Sequence, residues 1–247
     1  MTLLLQTDSG LNVENAIIED VFSSLGKSFL WATTTLEKTT MEDLKTKEYD
    51  KNSVPIGSIE FIEFWLKKYH NKKMTPIEVP ECLRTQHFLK REYNICTGDK
   101  IPATGRYFIK NIEKLKQGTY CGNSENYADY RIIRPDQKYV VSEEVNIESE
   151  WRAYVINNKL ENIANYDGNP LIYPDSTLVK QAIARYSIDS QCPKSYTIDL
   201  GINESGTFII EVHPFTAVGL YCALWEASLI NAYIDGIEYY KNFGATF

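Results

Sequence analysis

Cysteines and histidines are scarce in this chain, and the few present do not form metal-binding patterns. Its 247 residues include three histidines and five cysteines, which are Cys82, Cys96, Cys121, Cys192 and Cys222. The cysteines are scattered and form no Cys-x-x-Cys pair, which speaks against a disulfide framework and against the common zinc sites. We therefore expect reduced thiols in a cytoplasmic protein.

Long apolar runs, a basic surplus and the best-known catalytic loops are also missing. No stretch approaches the roughly 18 apolar residues of a membrane span, and the first residues lack the basic segment of a signal peptide. The net charge of −7 argues against general binding to nucleic acid or membrane surfaces. The sequence contains no Gly-x-Gly-x-x-Gly fingerprint, Walker A loop or Gly-x-Ser-x-Gly elbow, which excludes the commonest nucleotide-binding loops and serine-hydrolase sites.

Residues 1–80 alternate between strand and helix patterns, which predicts a small α/β domain. Apolar spacing predicts a strand over residues 3–7 and helices over residues 12–25 and 59–69. The polar tract of residues 37–52 is predicted to be a loop or a mobile segment.

The rest of the chain is predicted to be β-rich, with a helix at either end. We expect helices over residues 81–93 and 220–243, and a third over residues 178–186. Strands are predicted over residues 106–110, 139–147, 151–156 and 159–166, followed by a hairpin that ends near residue 214. We divide this part into two domains, residues 81–147 and residues 148–247.

The predicted hairpin carries the strongest candidate metal site. Two apolar runs end on Asp199 and Glu211, and His213 follows two residues later. Because residues i and i+2 of a strand face the same side, Glu211 and His213 project together, and an antiparallel partner brings Asp199 to the same spot. Such carboxylates suit Mg²⁺, which binds one or two carboxylates together with substrate phosphates. The alternative is a hairpin with charges at its rim.

A lysine-rich segment is a candidate phosphate site. Lys110 ends an aromatic-rich strand, and Lys114 and Lys116 precede a glycine at position 118. Ammonium groups neutralise phosphate, and glycine lets backbone N–H groups approach it. A solvated charge cluster at a loop is the other interpretation.

Two further segments carry polar groups on predicted strands. An apolar strand becomes acidic at the segment Ser142, Glu143, Glu144, Val145. This segment is either an edge strand with solvated acids or a hinge that offers backbone groups to an adenine and a carboxylate to a ribose. Glu150 and Arg152 share one strand face. Arg152 is therefore either the partner of Glu150 in an ion pair or a bidentate fork for a phosphate or carboxylate.

The order of these pieces resembles the ATP-grasp superfamily, and in particular its phage-associated clade named for one arginine and two lysines. In the superfamily pattern a strand Asp is followed by Glu-x-Asn-Pro. The motifs that carry the resemblance are Gly57-Ser58, Phe108-Ile109-Lys110, Ser142-Glu143, Glu150-Trp151-Arg152 and Gly219-Leu220-Tyr221.

The resemblance implies a role for each candidate. Lys110, with Lys114 or Lys116, would contact ATP phosphates, and Arg152 would face the γ-phosphate or an acyl-phosphate. Residues 142–145 would form the adenine hinge, with Glu150 also in the nucleotide site. The implied metal ligands are Asp199, Glu211 and His213. His213 stands where the pattern has Asn, and an imidazole favours Mn²⁺ more than an amide oxygen does.

The resemblance implies an α+β protein with an ATP-grasp fold, two lobes gripping ATP after a small α/β N-terminal domain. The implied activity is an ADP-forming carboxylate–amine or carboxylate–thiol ligase that works through an acyl-phosphate, with Mg²⁺ or Mn²⁺, in the cytoplasm of a bacterial or phage-infected cell. A peptide or protein is one candidate substrate. The alternatives are a phosphotransferase that stops at phosphorylation and a nucleotide-binding structural or regulatory protein without turnover.

Overall fold

A computed structural model describes residues 1–10, 12–25, 34–75, 78–113, 119–123, 133–222 and 226–247. The strands are β1 (Thr2–Gln6), β2 (Thr35–Thr39), β3 (Val54–Ile56), β4 (Lys72–Lys73), β5 (Tyr93–Thr97), β6 (Arg106–Asn111), β7 (Thr119–Asn123), β8 (Lys138–Glu143), β9 (Ser149–Ile156), β10 (Lys159–Gly168), β11 (Tyr196–Asn203), β12 (Gly206–Pro214) and β13 (Ala245–Thr246). The α-helices are α1 (Asn12–Leu25), α2 (Met41–Thr46), α3 (Ile59–His70), α4 (Gln86–Leu89), α5 (Ser176–Tyr186) and α6 (Glu226–Phe243).

The first sheet is parallel, with the strand order β2-β1-β3. Its central strand contains Leu3, Leu4 and Leu5, all fully buried. A continuous apolar run of this kind is typical of a parallel strand that is covered on both faces. Helix α3 follows β3 and begins after Ser58, whose hydroxyl accepts a hydrogen bond from the backbone N–H of Phe61.

The loop predicted over residues 37–52 was wrong in its first part, because residues 37–46 contain the end of β2 and helix α2. Strand β2 lies at an edge of its sheet and buries Thr39 while exposing most of its other residues, so it lacks the apolar alternation by which a strand is predicted.

The helix predicted over residues 81–93 is instead a 3₁₀ turn, the short helix α4 and the start of β5. Lys90 ends α4 in the left-handed conformation, with φ 50°. Arg91 follows it and donates hydrogen bonds to the carbonyl oxygens of Leu89 and Ile209. Contacts with β12, far along the chain, thus override the local helical pattern.

Two antiparallel sheets hold most of the candidate site residues that the structure describes. The lysine sheet has the order β5-β8-β6-β7 and contains Lys110 on β6. The carboxylate sheet has the order β10-β9-β11-β12 and contains Asp199 on β11 and Glu211 on β12.

The two faces of the carboxylate sheet pack against different partners. One face packs against α5, and the core between them includes Trp151, Ile198 and Leu200. On the other face, Tyr154 and Phe215 belong to a core shared with the parallel sheet and α6. The last helix begins at Glu226 rather than at residue 220. No helix among the described residues has the length and apolar character needed to cross a membrane.

Candidate active site

Three neighbouring strands of the carboxylate sheet carry a charged row, which consists of Arg152, Asp199 and Glu211. Asp199 lies opposite Glu211 on one side and opposite Arg152 on the other. The β11–β12 hairpin turns at Gly206, whose φ of 93° favours glycine. The geometry predicted for this hairpin from residue spacing is therefore present.

Asp199, Glu211 and His213 converge on one point. One ligand atom from each lies within 4.8 Å of the other two, and Nε2 of His213 is 2.6 Å from Oε1 of Glu211. Asp199 is buried, and the other two side chains are partly buried. Two carboxylates at this spacing fit a hard divalent cation that keeps further positions for phosphate oxygens or water, with an imidazole as an added ligand.

Arg152 forms a bidentate salt bridge with Asp199. Its Nε and Nη2 each donate to one carboxylate oxygen of Asp199 at 2.8 Å. Burial opposes the charged guanidinium, but the hydrogen bonds and the charge of Asp199 outweigh it and raise the pKa of Arg152. Glu150 is not its partner, since Oε2 of Glu150 accepts a 2.6 Å hydrogen bond from the hydroxyl of Tyr166. The ion pair between Glu150 and Arg152 that the sequence left open is therefore not formed.

Two tyrosine rings flank the guanidinium of Arg152. Its central carbon lies 5.6 Å from the ring centroid of Tyr166 and 5.3 Å from that of Tyr221, and the two rings are stacked. Nη1 of Arg152 also donates to the carbonyl oxygen of Gly219 at 3.3 Å, and the Tyr154 hydroxyl donates to the same oxygen at 2.9 Å. The Gly219–Tyr221 segment is thus fixed directly against Arg152.

Lys110 connects the two antiparallel sheets. Its Nζ is 2.7 Å from Oε2 of Glu211 and 3.3 Å from Oε1 of Glu78. Desolvation of the ammonium is outweighed by these two carboxylates, which raise the pKa of Lys110. Lys114 and Lys116, the other predicted phosphate lysines, lie outside the described residues.

Glu211 is surrounded by positive charge and hydrogen-bond donors. Burial alone would raise the pKa of its carboxyl group, but the hydrogen bond and charge of His213, together with those of Lys110, hold the pKa well below its usual range. Glu211 is therefore ionised at neutral pH, and Lys110 and His213 each hold one of its oxygens.

Beside the charged row lies a cavity of about 200 Å³ between the lysine and carboxylate sheets. The predicted residues Lys110, Ser142, Glu143, Glu144 and Val145 all line it, whereas Glu150 is not among its lining residues. Strand β8, which carries Ser142 and Glu143, is a central strand of the lysine sheet. The edge-strand interpretation of this segment was therefore wrong.

Eight lining residues were not predicted as site residues from the sequence: Glu78, Arg91, Tyr93, Phe108, Val140, Ile147, Phe208 and Ile210. A β-bulge between Asp199 and Leu200 shifts the register of β12 next to Glu211. Ile210 therefore lines the cavity together with Glu211, although strict alternation would place them on opposite faces. Glu78 and Arg91 sit in segments with no local pattern that signals a site.

Comparison with known proteins was made by family and by structure. Residues 88–228 match the model of an ATP-grasp domain family, the second family of the clade named for one arginine and two lysines. No curated protein gives a significant match.

Many solved structures share the fold. Three of them are the D-alanine–D-alanine ligase of Bacillus anthracis complexed with ATP (13% identity, 98% of this chain and 97% of that chain, TM-score 0.55), an ATP-grasp RimK domain protein of Sphaerobacter thermophilus (14%, 99% and 99%, TM-score 0.53) and the N5-carboxyaminoimidazole synthetase of Staphylococcus aureus (9%, 95% and 77%, TM-score 0.57). At these identities the likeness concerns the fold alone.

Proposed function

The chain belongs to the second ATP-grasp domain family of the clade named for one arginine and two lysines, and on that basis we propose that it is an ATP-dependent ligase that joins a carboxylate to an amine or a thiol. Its fold is the α+β ATP-grasp fold. The observation that carries the proposal is the convergence of Lys110, Arg152, Asp199 and Glu211 beside a cavity lined by both apolar and polar residues. We also propose domain boundaries near residues 80 and 147.

We place the adenine of ATP in the cavity between the two antiparallel sheets. Phe108, Phe208 and Ile210 give this cavity apolar walls, while residues 142–145 add backbone groups and the carboxylate of Glu143. Both carboxylate oxygens of Glu144 accept hydrogen bonds from Arg106. Apolar walls with a few polar groups that fix orientation are the usual composition of a cofactor site. Support for a nucleotide comes also from the ATP complex of the similar D-alanine–D-alanine ligase.

In this pose the triphosphate extends toward Lys110 and the charged row. Lys110 would release part of its contact with Glu211 and Glu78 and donate to phosphate oxygens. Asp199, Glu211 and His213 would hold Mg²⁺ or Mn²⁺, which supplies positive charge to the phosphate oxygens.

Arg152 would act at the phosphoryl group that is transferred. The substrate carboxylate attacks the γ-phosphorus, ADP leaves, and the amine or thiol then displaces phosphate from the acyl-phosphate. Arg152 carries a fixed charge that Asp199 and two tyrosine rings hold in place. Such preorganised charge stabilises a transition state without rearranging at the moment of reaction.

The experiment that tests the proposal measures ADP release from ATP by the purified chain with Mg²⁺, with and without panels of amino acids, peptides and polyamines. A ligase releases ADP and phosphate in an acceptor-dependent manner and forms an amide or thioester that mass spectrometry detects. Phosphorylated product without ligation would identify a phosphotransferase instead. ATP binding without ADP release under any condition would favour a non-catalytic role.

A further inference from the structure

A second and larger cavity lies apart from the charged row of the proposed active site. It has a volume of about 510 Å³, and its lining includes Glu78, Glu81 and Arg84, Tyr186 at the end of α5, Asp189 just after that helix, and Tyr239 on α6. Glu78 lines both cavities, but none of Lys110, Arg152, Asp199, Glu211 and His213 lines the second one. The volume is in the range of small-molecule sites.

Charged groups of both signs reach this cavity without an ion partner among the described residues. Glu81 forms no ion pair there, and the carboxylate of Asp189 accepts only the backbone N–H of Gln191. Arg84 donates its Nε to the carbonyl oxygen of Val79 at 2.7 Å, which leaves the two terminal nitrogens of its guanidinium without a hydrogen bond within that part of the chain.

A buried tyrosine provides the second and independent observation. Tyr186 is 3% exposed and lines the cavity. Its ring packs edge-on against Tyr196, and its hydroxyl has no hydrogen-bond partner in the described ranges. Burial, together with nearby groups that include Tyr239 and Asp189, raises the pKa of Tyr186, so the hydroxyl is neutral and can both donate and accept. Because no described residue occupies it, this hydroxyl can hydrogen-bond to a ligand in the cavity.

We propose that this cavity binds a small zwitterion, either a free amino acid or a short peptide. The ammonium group of the ligand would contact Asp189 and Glu81, its carboxylate would contact Arg84, and Tyr186 would hydrogen-bond to it. A simple amine would leave Arg84 unpaired and a simple acid would leave Asp189 and Glu81 unpaired, and this favours zwitterions over ligands with one charge.

Isothermal titration calorimetry on the nucleotide-free full chain tests the proposal. The probes are the 20 common amino acids and glycylglycine, with butylamine and acetate as single-charge controls. We expect at least one zwitterion to bind at least tenfold more tightly than either control compound. The site variants are Tyr186→Phe, Asp189→Asn and Arg84→Gln, and the matched surface controls are Tyr173→Phe, Asp20→Asn and Arg134→Gln.

Each site variant should weaken binding at least fivefold, and the surface variants should leave it unchanged. Asp189→Asn keeps an oxygen that can accept from the backbone N–H of Gln191, and this variant therefore tests the charge rather than the turn. Binding must persist in Arg152→Lys, which separates this cavity from the active site and makes the result independent of ligase activity. No binding by any zwitterion at 10 mM, equal binding of butylamine or acetate, or insensitivity to all three site variants would overturn the proposal.

Discussion

Arg152 is held by a carboxylate, a backbone carbonyl and two aromatic rings at once. Replacing it with lysine keeps the charge but removes the planar fork that reaches both oxygens of Asp199. We expect Arg152→Lys to lower kcat at least tenfold while changing KM for ATP much less, because in the proposed mechanism the guanidinium acts at the transferred phosphoryl group. Steady-state ADP release gives both constants.

The exposed Arg185 on α5 offers the matched control, and Arg185→Lys should have wild-type constants. If Arg152→Lys stays within twofold of wild type in kcat, then Arg152 serves the scaffold and not the reaction.

Glu211 combines a proposed metal-binding role with a structural one. We expect Glu211→Gln to abolish metal-dependent ADP release and also to destabilise the chelator-treated protein by about 1–3 kcal/mol at neutral pH, since charged hydrogen bonds to Lys110 and His213 are lost. Turnover assays and urea unfolding measure the two effects. Wild-type ADP release by this variant would show that the metal assignment is wrong.

The pH dependence of that stability difference has a definite sign. The pKa of Glu211 is lowered in the folded protein, so its ionised form contributes fully above the unfolded pKa of about 4.3. The contribution is lost as the pH falls through the lower folded pKa, and glutamine does not titrate. The difference in unfolding free energy between wild type and Glu211→Gln should therefore decrease as the pH is lowered below about 4.3. Unfolding curves measured at about pH 3–6 would show this decrease.

At the scale of elements, helix α6 approaches the backbone after β12 closely enough to require glycine. A Cβ on Gly236 would clash with the carbonyl oxygen of Phe215 and would lie 2.6 Å from its carbonyl carbon. In an open helix Gly→Ala stabilises by about 1 kcal/mol, whereas overpacking costs about 1–3 kcal/mol. We expect Gly236→Ala to destabilise the protein by about 1–3 kcal/mol, as measured by chemical denaturation.

Asn231→Ala on the exposed side of the same helix should be neutral or slightly stabilising. A stabilising Gly236→Ala would mean that α6 does not pack as closely on residue 215 as the structure has it.

Elements with a strong local pattern could be predicted from the sequence, and those decided by distant contacts could not. Helix α1 and the β11–β12 hairpin follow from apolar spacing and turn residues, and the family resemblance is confirmed. Strand β2 and the segment of Arg91 owe their conformation to neighbours far along the chain. Of the site, the charged residues on regular strands were predicted, whereas aromatic lining residues on strands, such as Tyr93 and Phe208, were not. Glu78 and Arg91 carry no local signal, and the bulge obscured the orientation of Ile210.

At the scale of the whole molecule, nucleotide binding should stabilise the fold because the cavity is built from two sheets. Lys110 on β6 contacts Glu211 on β12, and ATP in this place would join the same two sheets. At about 100 times its dissociation constant a ligand adds roughly 2.7 kcal/mol to the free energy of unfolding. We expect millimolar MgATP to raise the melting temperature by several degrees in a thermal-shift measurement, and a smaller rise with Glu211→Gln. No shift at any MgATP concentration would contradict nucleotide binding.

Helix α6 and strand β13, near the end of the chain, pack against elements near its beginning. Helix α6 shares a core with the parallel sheet, packing against α1 and β3, and β13 pairs with β4. During translation at about 5–20 residues per second, the apolar surface of α1 and β3 that α6 covers would remain open for roughly ten seconds or longer after β3 leaves the ribosome. The nascent chain therefore exposes apolar surface during its own synthesis, which makes it prone to aggregate. We expect its yield of folded protein in cells to depend strongly on chaperone capacity, even if the finished protein is stable.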